Sequence, residues 1–429
     1  MHRMPFDPSI DAARAAQALV GRSGLAWLDG GPAHEAEGRR SYVGIDPVEV
    51  HRVGVGQTGE LPSFDDPAED SAAPRWMGFV SYDATTVGEP RRAAEGPIEH
   101  DSPAIWFGRY DACLSVDDES GEAWLVGDDE AACKRLESRI HEGLAGNETS
   151  ISARVGPAVV DDPALHRAAI EAALDHIGAG DIYQVNLARR WRADYEGEPL
   201  ALFLAMREAS PVPLGGFIDA GDHAVLARTM ERFLHWQGPG GELSTRPIKG
   251  TIARSGDDAG EADTLRNDDK ERAEHAMIVD LMRNDLGRVA EVGTVAVEAP
   301  LVVEPYRGLA HLVSTVRCRT RRDVDLGAIL DATFPPGSVT GTPKVRAMQI
   351  IEELETHARE VYTGCIGLVD RRGGARFAVA IRTAQVRRGE VVYHAGGGLV
   401  SASLPDREVA ETELKARAFL DAVDQLRGD

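Results

Sequence analysis

The chain has 429 residues, with 70 acidic against 47 basic side chains and a formal net charge of -23. Such an excess argues against a nucleic acid or an anionic membrane surface as partner, because both demand clustered positive charge, and no cluster of basic residues occurs. No apolar run reaches membrane-span length, and the opening MHRMPFDPSIDAARAAQALV lacks a signal-peptide core, so the sequence reads as cytoplasmic.

Residues 1 to about 110 alternate short apolar runs with glycine and proline, as in GLAWLDGG, RWMGFVSYDA and PAIWFGRYDACLSV, which predicts strands with one opening helix near 9–22. GDDEAACKRLESRIHEGLAGNETS then carries one helical pattern and a polar run at 146–152. That run sets a boundary: a β-rich N-terminal region over 1–150, packed into the same core, and a second region over 160–429. Helical patterns follow at 162–179, 198–209, 267–285, 343–356 and 406–426, with the strand-like runs IYQVNLARRW, HAVLART, AVAIRTAQV and VVYHAG between them. Helices and strands do not alternate strictly, which disfavours a doubly wound parallel sheet or a βα-barrel. The expected fold class is α+β, with large antiparallel β-sheets in a sandwich-like core flanked by helices. Cys113, Cys133, Cys318 and Cys365 stand singly, without the close pairs of zinc sites or disulfide frameworks, and read as small core residues.

Lysine is scarce. Only Lys134, Lys249, Lys270, Lys344 and Lys415 occur. Lys249 lies in TRPIKGTIAR, between residues that suggest a buried turn. Arginine carries the same charge but keeps its proton, whereas a partly desolvated lysine can act as a neutral amine on carbon or as a base. The ordinary alternative is a lysine at a strand end with its stem against apolar surface.

In DDKERAEHAMIVDLMRNDLGRV, Ala273, Met277, Ile278 and Leu281 share a helical face with Glu274 at its edge, where a carboxylate can point into a cleft. Glu271, Glu274 and His275 have metal-ligand spacing, but no His or Cys motif supports zinc. Carboxylates alone suit Mg2+, usually with an anionic substrate completing its shell. Glu411 and Lys415 are one helical turn apart, which a solvated ion pair worth roughly 0.3 kcal/mol also explains. Two glycine-rich segments complete the candidates. In PPGSVTGTPKVRAMQIIEELE, Thr342 takes the N-cap position and Pro343 the first helical position. In YHAGGGLVSAS, Gly396, Gly397 and Gly398 allow the backbone to approach a ligand carboxylate. A tight turn accounts for either.

Together, GDIYQVNLARR, ERFL, TRPIKGT, AEHAMIVDLMRNDLGRV, HLVST, PPGSVTGTPKVRAM, IRTA and AGGGLVSAS followed by EVAETELKA resemble the chorismate-utilising enzymes, the family of anthranilate, isochorismate, salicylate and aminodeoxychorismate synthases. The resemblance covers about 165–418, with fainter matches at SYVGIDP and GFVSYDA, and implies an anthranilate synthase component I-like fold. Anthranilate synthases typically read PIAGT at the turn that here reads PIKGT, as it does in aminodeoxychorismate synthases. Gln184 stands where isochorismate and salicylate synthases carry a water-activating lysine. The resemblance therefore implies amino transfer to chorismate in the folate (p-aminobenzoate) route: Lys249 attacks carbon 2, Glu231 protonates the departing 4-hydroxyl, ammonia adds at carbon 4 and the lysine leaves. It further implies Glu274 and Glu411 as magnesium ligands holding the ring carboxylate. Tyr362 and Arg382 grip the other carboxylate, Gly396 to Gly398 donate backbone N–H groups, Lys415 adds positive charge, and Gly250, Thr251 and His311 line the substrate.

Several positions depart from the family pattern. Thr229 and Met230 replace Ser-Pro before Glu231, Pro336 replaces a second glycine, Ala402 replaces an aspartate, and Gly30 replaces a serine of a tryptophan pocket. None of the cysteines sits in the G-x-C-x-G turn of a glutaminase, and the chain stops soon after the last motif, so a separate glutaminase subunit is expected as heterodimer partner. Competing expectations are another chorismate chemistry such as anthranilate synthesis, a Schiff-base aldolase at Lys249, and an inactive regulatory partner of a working homologue.

Overall fold

A computed structural model describes residues 1–31, 39–54, 57, 59–64, 71–84, 102–146, 151–253, 258–305 and 309–427. Residues 147–150, at the expected boundary, lie outside the described residues. Two sheets dominate, one of thirteen strands and one of ten among the described residues. Neighbouring strands pair antiparallel throughout, as in Gln184–Gly197 with Glu390–Leu399 and Ile248–Ala253 with Leu309–Arg319.

Both sheets draw strands from both ends of the chain. In the larger, Ala26–Asp29 pairs with Leu214–Asp219; in the smaller, Pro74–Val80 pairs with Cys365–Asp370. Side chains alternate faces along a strand. Ala26, Ile218 and Val225 thus meet Met77, Phe79 and Ile366 between the sheets, while Trp27, Phe217 and Leu226 point to the other side. There the helices Ala12–Ala18, Glu130–Ala145, Pro199–Ala209 and Pro405–Gln425 cover the larger sheet. Asp269–Gly287 and Leu326–Thr333 cover the smaller. The result is the expected α+β sandwich flanked by helices.

The structure corrects three local expectations. AVAIRTAQV is not one strand: Ala375–Val379 belongs to the smaller sheet and Thr383–Arg387 to the larger. The chain changes sheets at Arg382, which adopts a φ of 52° that periodicity cannot reveal. Thr342 is not an N-cap. It pairs with Gln184 in a short strand, and the helix starts at Lys344 with Pro343 in the cap position and no side-chain cap. Sheet pairing has overridden the local capping signal there. In Asp269–Gly287 the buried stripe is His275, Ile278, Met282 and Asp285 with Leu286, and Ala273 is exposed. The small apolar Ala273 gave no usable facing signal, whereas His275 gains a buried partner. Glu271, Glu274, Met277 and Leu281 form the half-buried stripe beside it.

Candidate active site

The site forms where Gln184–Gly197 and Glu390–Leu399 run side by side, with Asn186 opposite Gly398 and Ala188 opposite Gly396. The neighbouring strand Thr383–Arg387 pairs with Glu390–Leu399 only as far as Tyr393. Beyond it the three glycines are strand-paired on one side. None has a positive φ, so they are needed for the space their missing side chains leave. A Cβ on Gly396 would stand 2.7 Å from Asn186 Oδ1 and 3.0 Å from the Tyr362 hydroxyl. One on Gly397 would stand 3.2 Å from Glu408 Oε2 and 3.7 Å from Glu411 Oε1. One on Gly398 would stand 2.6 Å from Lys249 Nζ and 3.3 Å from Gln184 Nε2. The glycine run is therefore a bare strip over which carboxylates, amides and an amine converge.

Lys249 comes from the edge strand Ile248–Ala253, whose register against Leu309–Arg319 shifts between Lys249 and Thr251. Gly250 takes up that irregularity with a φ of 70°, a left-handed conformation that a side chain would strain. Thr251 lies opposite His311; its side chain lies outside the described residues. His311 is buried, with Nδ1 3.4 Å from the Gly250 carbonyl, and burial depresses its imidazole to about 4. It is a neutral hydrogen-bonding group at physiological pH.

Glu231 is 4% exposed. Burial pushes its carboxyl up to about 7, against the pull of the Ser338 hydroxyl, the Lys249 charge and the Ile248 backbone. An acid poised there can give or take a proton near neutrality. Its backbone N–H donates to Thr229 Oγ1 at 3.2 Å, so threonine provides a hydroxyl contact where the family pattern has serine.

Tyr362 is buried and stacks on His394, ring centroids 5.4 Å apart. Arg382 donates to the Lys415 carbonyl, which also accepts from the Tyr393 hydroxyl at 3.2 Å. Lys415 Nζ lies 2.6 Å from Glu411 and donates to the Gly396 carbonyl at 2.8 Å. The helix Pro405–Gln425 is thereby pinned to both ends of the site. Burial opposes the Glu411 charge, but the Lys415 ammonium outweighs it and holds the carboxyl below its ordinary value.

Two helices bring paired carboxylates to the site, Glu271 and Glu274 on one, Glu408 and Glu411 on the other. His275, considered with them, turns away: it is buried, with Nε2 2.7 Å from Ser314 Oγ. Among the described residues no three acidic, His or Cys groups lie close enough to hold a metal by themselves. Yet Glu408 is 7% exposed and its Oε2 has no partner, and burial raises Glu271 and Glu408 alike. Hard oxygen donors of this kind fit magnesium completed by an anionic substrate.

Sequence reasoning missed Glu408, Asn186 and Ser338. A signal existed for the first: ERAE and EVAE repeat E-x-x-E on the two site helices, putting a second carboxylate on the same face. In the sequence Gln184 is marked only by the absence of a lysine. It is fully buried beside Gly398, and neither amide atom has a hydrogen-bond partner. Asn186 Oδ1 is likewise buried without one. Both offer polar atoms to whatever occupies the strip.

A stretch of 351 residues, 80% of this chain and 76% of the relative, is 39% identical to an aminodeoxychorismate synthase component 1 from Klebsiella aerogenes. An anthranilate synthase component 1 from Thermus thermophilus is 42% identical over 259 residues, 60% of this chain and 56% of its own. The crystal structure of anthranilate synthase component I from Streptococcus pneumoniae superposes with a TM-score of 0.76 at 29% identity, covering 91% of this chain and 92% of that one. The model of the chorismate binding enzyme family matches residues 34–421, and the chain belongs to that family.

Proposed function

We propose that the chain is the amino-transfer component of an aminodeoxychorismate synthase, making 4-amino-4-deoxychorismate from chorismate and ammonia. The observation that carries this reading is the placement of Lys249 Nζ against Gly398 beside the unpartnered amide of Gln184, with buried Glu231 near enough to feel the lysine's charge. A lysine stands at the strip, and the position of a water-activating lysine in the family pattern holds an amide.

The neutral Lys249 amine forms a bond to carbon 2 of chorismate as both ring double bonds shift along the conjugated path and the carbon 4–oxygen bond breaks. Glu231, protonated at the start, gives its proton to the departing hydroxyl, which leaves as water. Ammonia then bonds to carbon 4, both double bonds shift back as the carbon 2–nitrogen bond breaks, Lys249 leaves as the neutral amine, and the proton lost by the new amino group restores the Glu231 carboxyl. Tyr362, Arg382 and Lys415 hold one carboxylate, and the glycine strip lets the ring lie against backbone. Glu274 and Glu411, backed by Glu271 and Glu408, would hold magnesium, which supplies positive charge for the ring carboxylate.

Nitrogen arrives from a partner. All four cysteines are buried, and burial pushes the Cys113 thiol up to about 12 and that of Cys318 to about 11, the opposite of an activated nucleophile. The name component 1 on the relatives supports a second subunit, read here as a glutaminase. No helix among the described residues is long and apolar enough to cross a membrane, in keeping with a cytoplasmic enzyme.

Anthranilate synthesis is the second reading, favoured by the 42% identity to the Thermus thermophilus relative. Incubation with chorismate, magnesium and ammonium decides. Aminodeoxychorismate by mass, without pyruvate, supports amino transfer alone; stoichiometric pyruvate with anthranilate overturns it.

A further inference from the structure

His275 follows Glu274 in the helix Asp269–Gly287 but faces the smaller sheet, buried, with Nε2 2.7 Å from Ser314 Oγ. Among the described residues Ser314 is the one hydrogen-bond partner of the ring, since Nδ1 has none. Ser314 is itself buried and tied on two further sides. Its Oγ accepts from the Leu301 N–H at 3.1 Å, and its own N–H donates to the Pro247 carbonyl at 3.5 Å, two residues before Lys249. Lys249 lies opposite Leu312, so Lys249 and Ser314 stand on one face of the sheet. Val316 and Cys318, farther along that face, join Ile278 and Met282 of the helix in one apolar cluster.

Leu301 reaches Ser314 from a bulge. The strand Ala296–Pro305 slips register against Leu309–Arg319 between Glu298 and Val302, and Ala299 and Leu301 take φ values of 44° and 59°. Residues with side chains hold such a conformation only where their surroundings fix it. Beside the contact lies a cavity of about 480 Å³ lined by Ala273, Ala276, Val279, Val297 and Leu301 among others. Side chains at a cavity wall lack packing partners on that side, so close packing does not fix the helix there and the hydrogen bond does.

We propose that His275 and Ser314 are a positioning pair that sets the carboxylate-bearing helix in register with the strand of Lys249. One member adjoins Glu274 in sequence; the other bonds the segment leading into Lys249. A slip at this contact shifts Glu274 against the amine, and a misplacement of about an ångström costs on the order of a hundredfold in rate. This rests on the reading of the cleft as a magnesium and chorismate site.

The test compares Ser314→Ala, Ser314→Thr and the apolar pair Ser314→Ala with His275→Leu in the full chain. Melting temperature, calorimetric magnesium affinity of the substrate-free protein, and kcat and KM for chorismate at saturating magnesium are the readouts. Where the unpaired ring nitrogen of Ser314→Ala prevents folding, the apolar pair, which removes both partners together, takes its place. Both are expected to lose roughly tenfold in kcat and roughly tenfold in magnesium affinity, with KM within about twofold of wild type. Ser314→Thr keeps the hydroxyl, and the cavity has room for its methyl, so kcat and magnesium affinity should return to wild-type values. A purely structural role lowers the melting temperature and leaves kcat and magnesium affinity of the folded protein unmoved. That result overturns the positioning pair, as does a Ser314→Thr protein as impaired as Ser314→Ala. A chelator added to the wild-type reaction separates the two readings. Turnover indifferent to chelation overturns both, whereas magnesium-dependent turnover with unmoved variants overturns this one alone.

Discussion

Lys249 Nζ stands 2.6 Å from the place a side-chain carbon would take at Gly398, so the bare strand is what lets the amine reach its position. The obstructing atom is the end of a flexible chain. Gly398→Ala should therefore fold, with a melting temperature close to wild type, yet lose on the order of a hundredfold in kcat through a misplaced nucleophile. Lys249→Ala should lose about a thousandfold or more, since it removes the amine itself. Near-normal amination by a folded Lys249→Ala protein would sink the covalent mechanism.

Glu231 sets a pH dependence. As general acid it must hold its proton, so kcat/KM should fall as pH rises through about 7, and Glu231→Gln should abolish that limb with most of the activity. The folded carboxyl binds its proton more tightly than a free glutamate. Its contribution to stability is full below about 4.5 and is lost as pH rises through about 7. Melting curves of wild type and Glu231→Gln across that window should converge at low pH and diverge above 7.

Glu274→Gln and Glu411→Gln should each raise the magnesium concentration for half-maximal rate by on the order of tenfold. Glu408→Gln should do so less, since Glu274 and Glu411 are the assigned ligands. Titrating magnesium against initial rate distinguishes them, and equal curves for all three would contradict the assignment.

Tryptophan should bind weakly or not at all. A Cβ on Gly30 would stand 2.5 Å from Asp118 Oδ2, so the place of the relatives' serine side chain is taken by a carboxylate that accepts from the Ser41 hydroxyl at 2.9 Å. Beside it lies a cavity of about 310 Å³ lined by Arg40, Tyr42, Arg232 and Arg376 among others. Micromolar binding of tryptophan by calorimetry would contradict this.

The isolated chain should use ammonium salts and not glutamine, gaining glutamine dependence only with a glutaminase subunit. Sustained turnover on glutamine alone, with contaminating glutaminase excluded, would reveal an amidotransferase site here.

The sequence made the chemistry more legible than the geometry. Lys249 stood out because lysine is rare in this chain, and the fold class followed from the mixture of helical and two-residue periods. The sheet change at Arg382 was hidden because apolar periodicity runs straight through it, the turn being a matter of backbone conformation. Glu408 was hidden because an exposed and a buried glutamate look alike in a helix of mixed charge. Thr342 misled because a capping residue before proline is also an acceptable strand residue, and long-range pairing with Gln184 decides between them.

The weaving of early strands into both sheets bears on how the molecule can be cut. A fragment beginning near residue 151 would bare the edges of Leu214–Asp219 and Cys365–Asp370, two long templates for intermolecular strand pairing. It would also lose the Tyr82 N–H that donates to the Glu360 carbonyl at 2.6 Å, and the Asp83 carboxylate that accepts from the Glu360 N–H at 2.7 Å, two residues from Tyr362. Such a fragment should collect in inclusion bodies. Co-expressing the missing N-terminal piece in trans should return it to solution, making this enzyme a natural candidate for a split reporter whose signal is growth without supplied p-aminobenzoate.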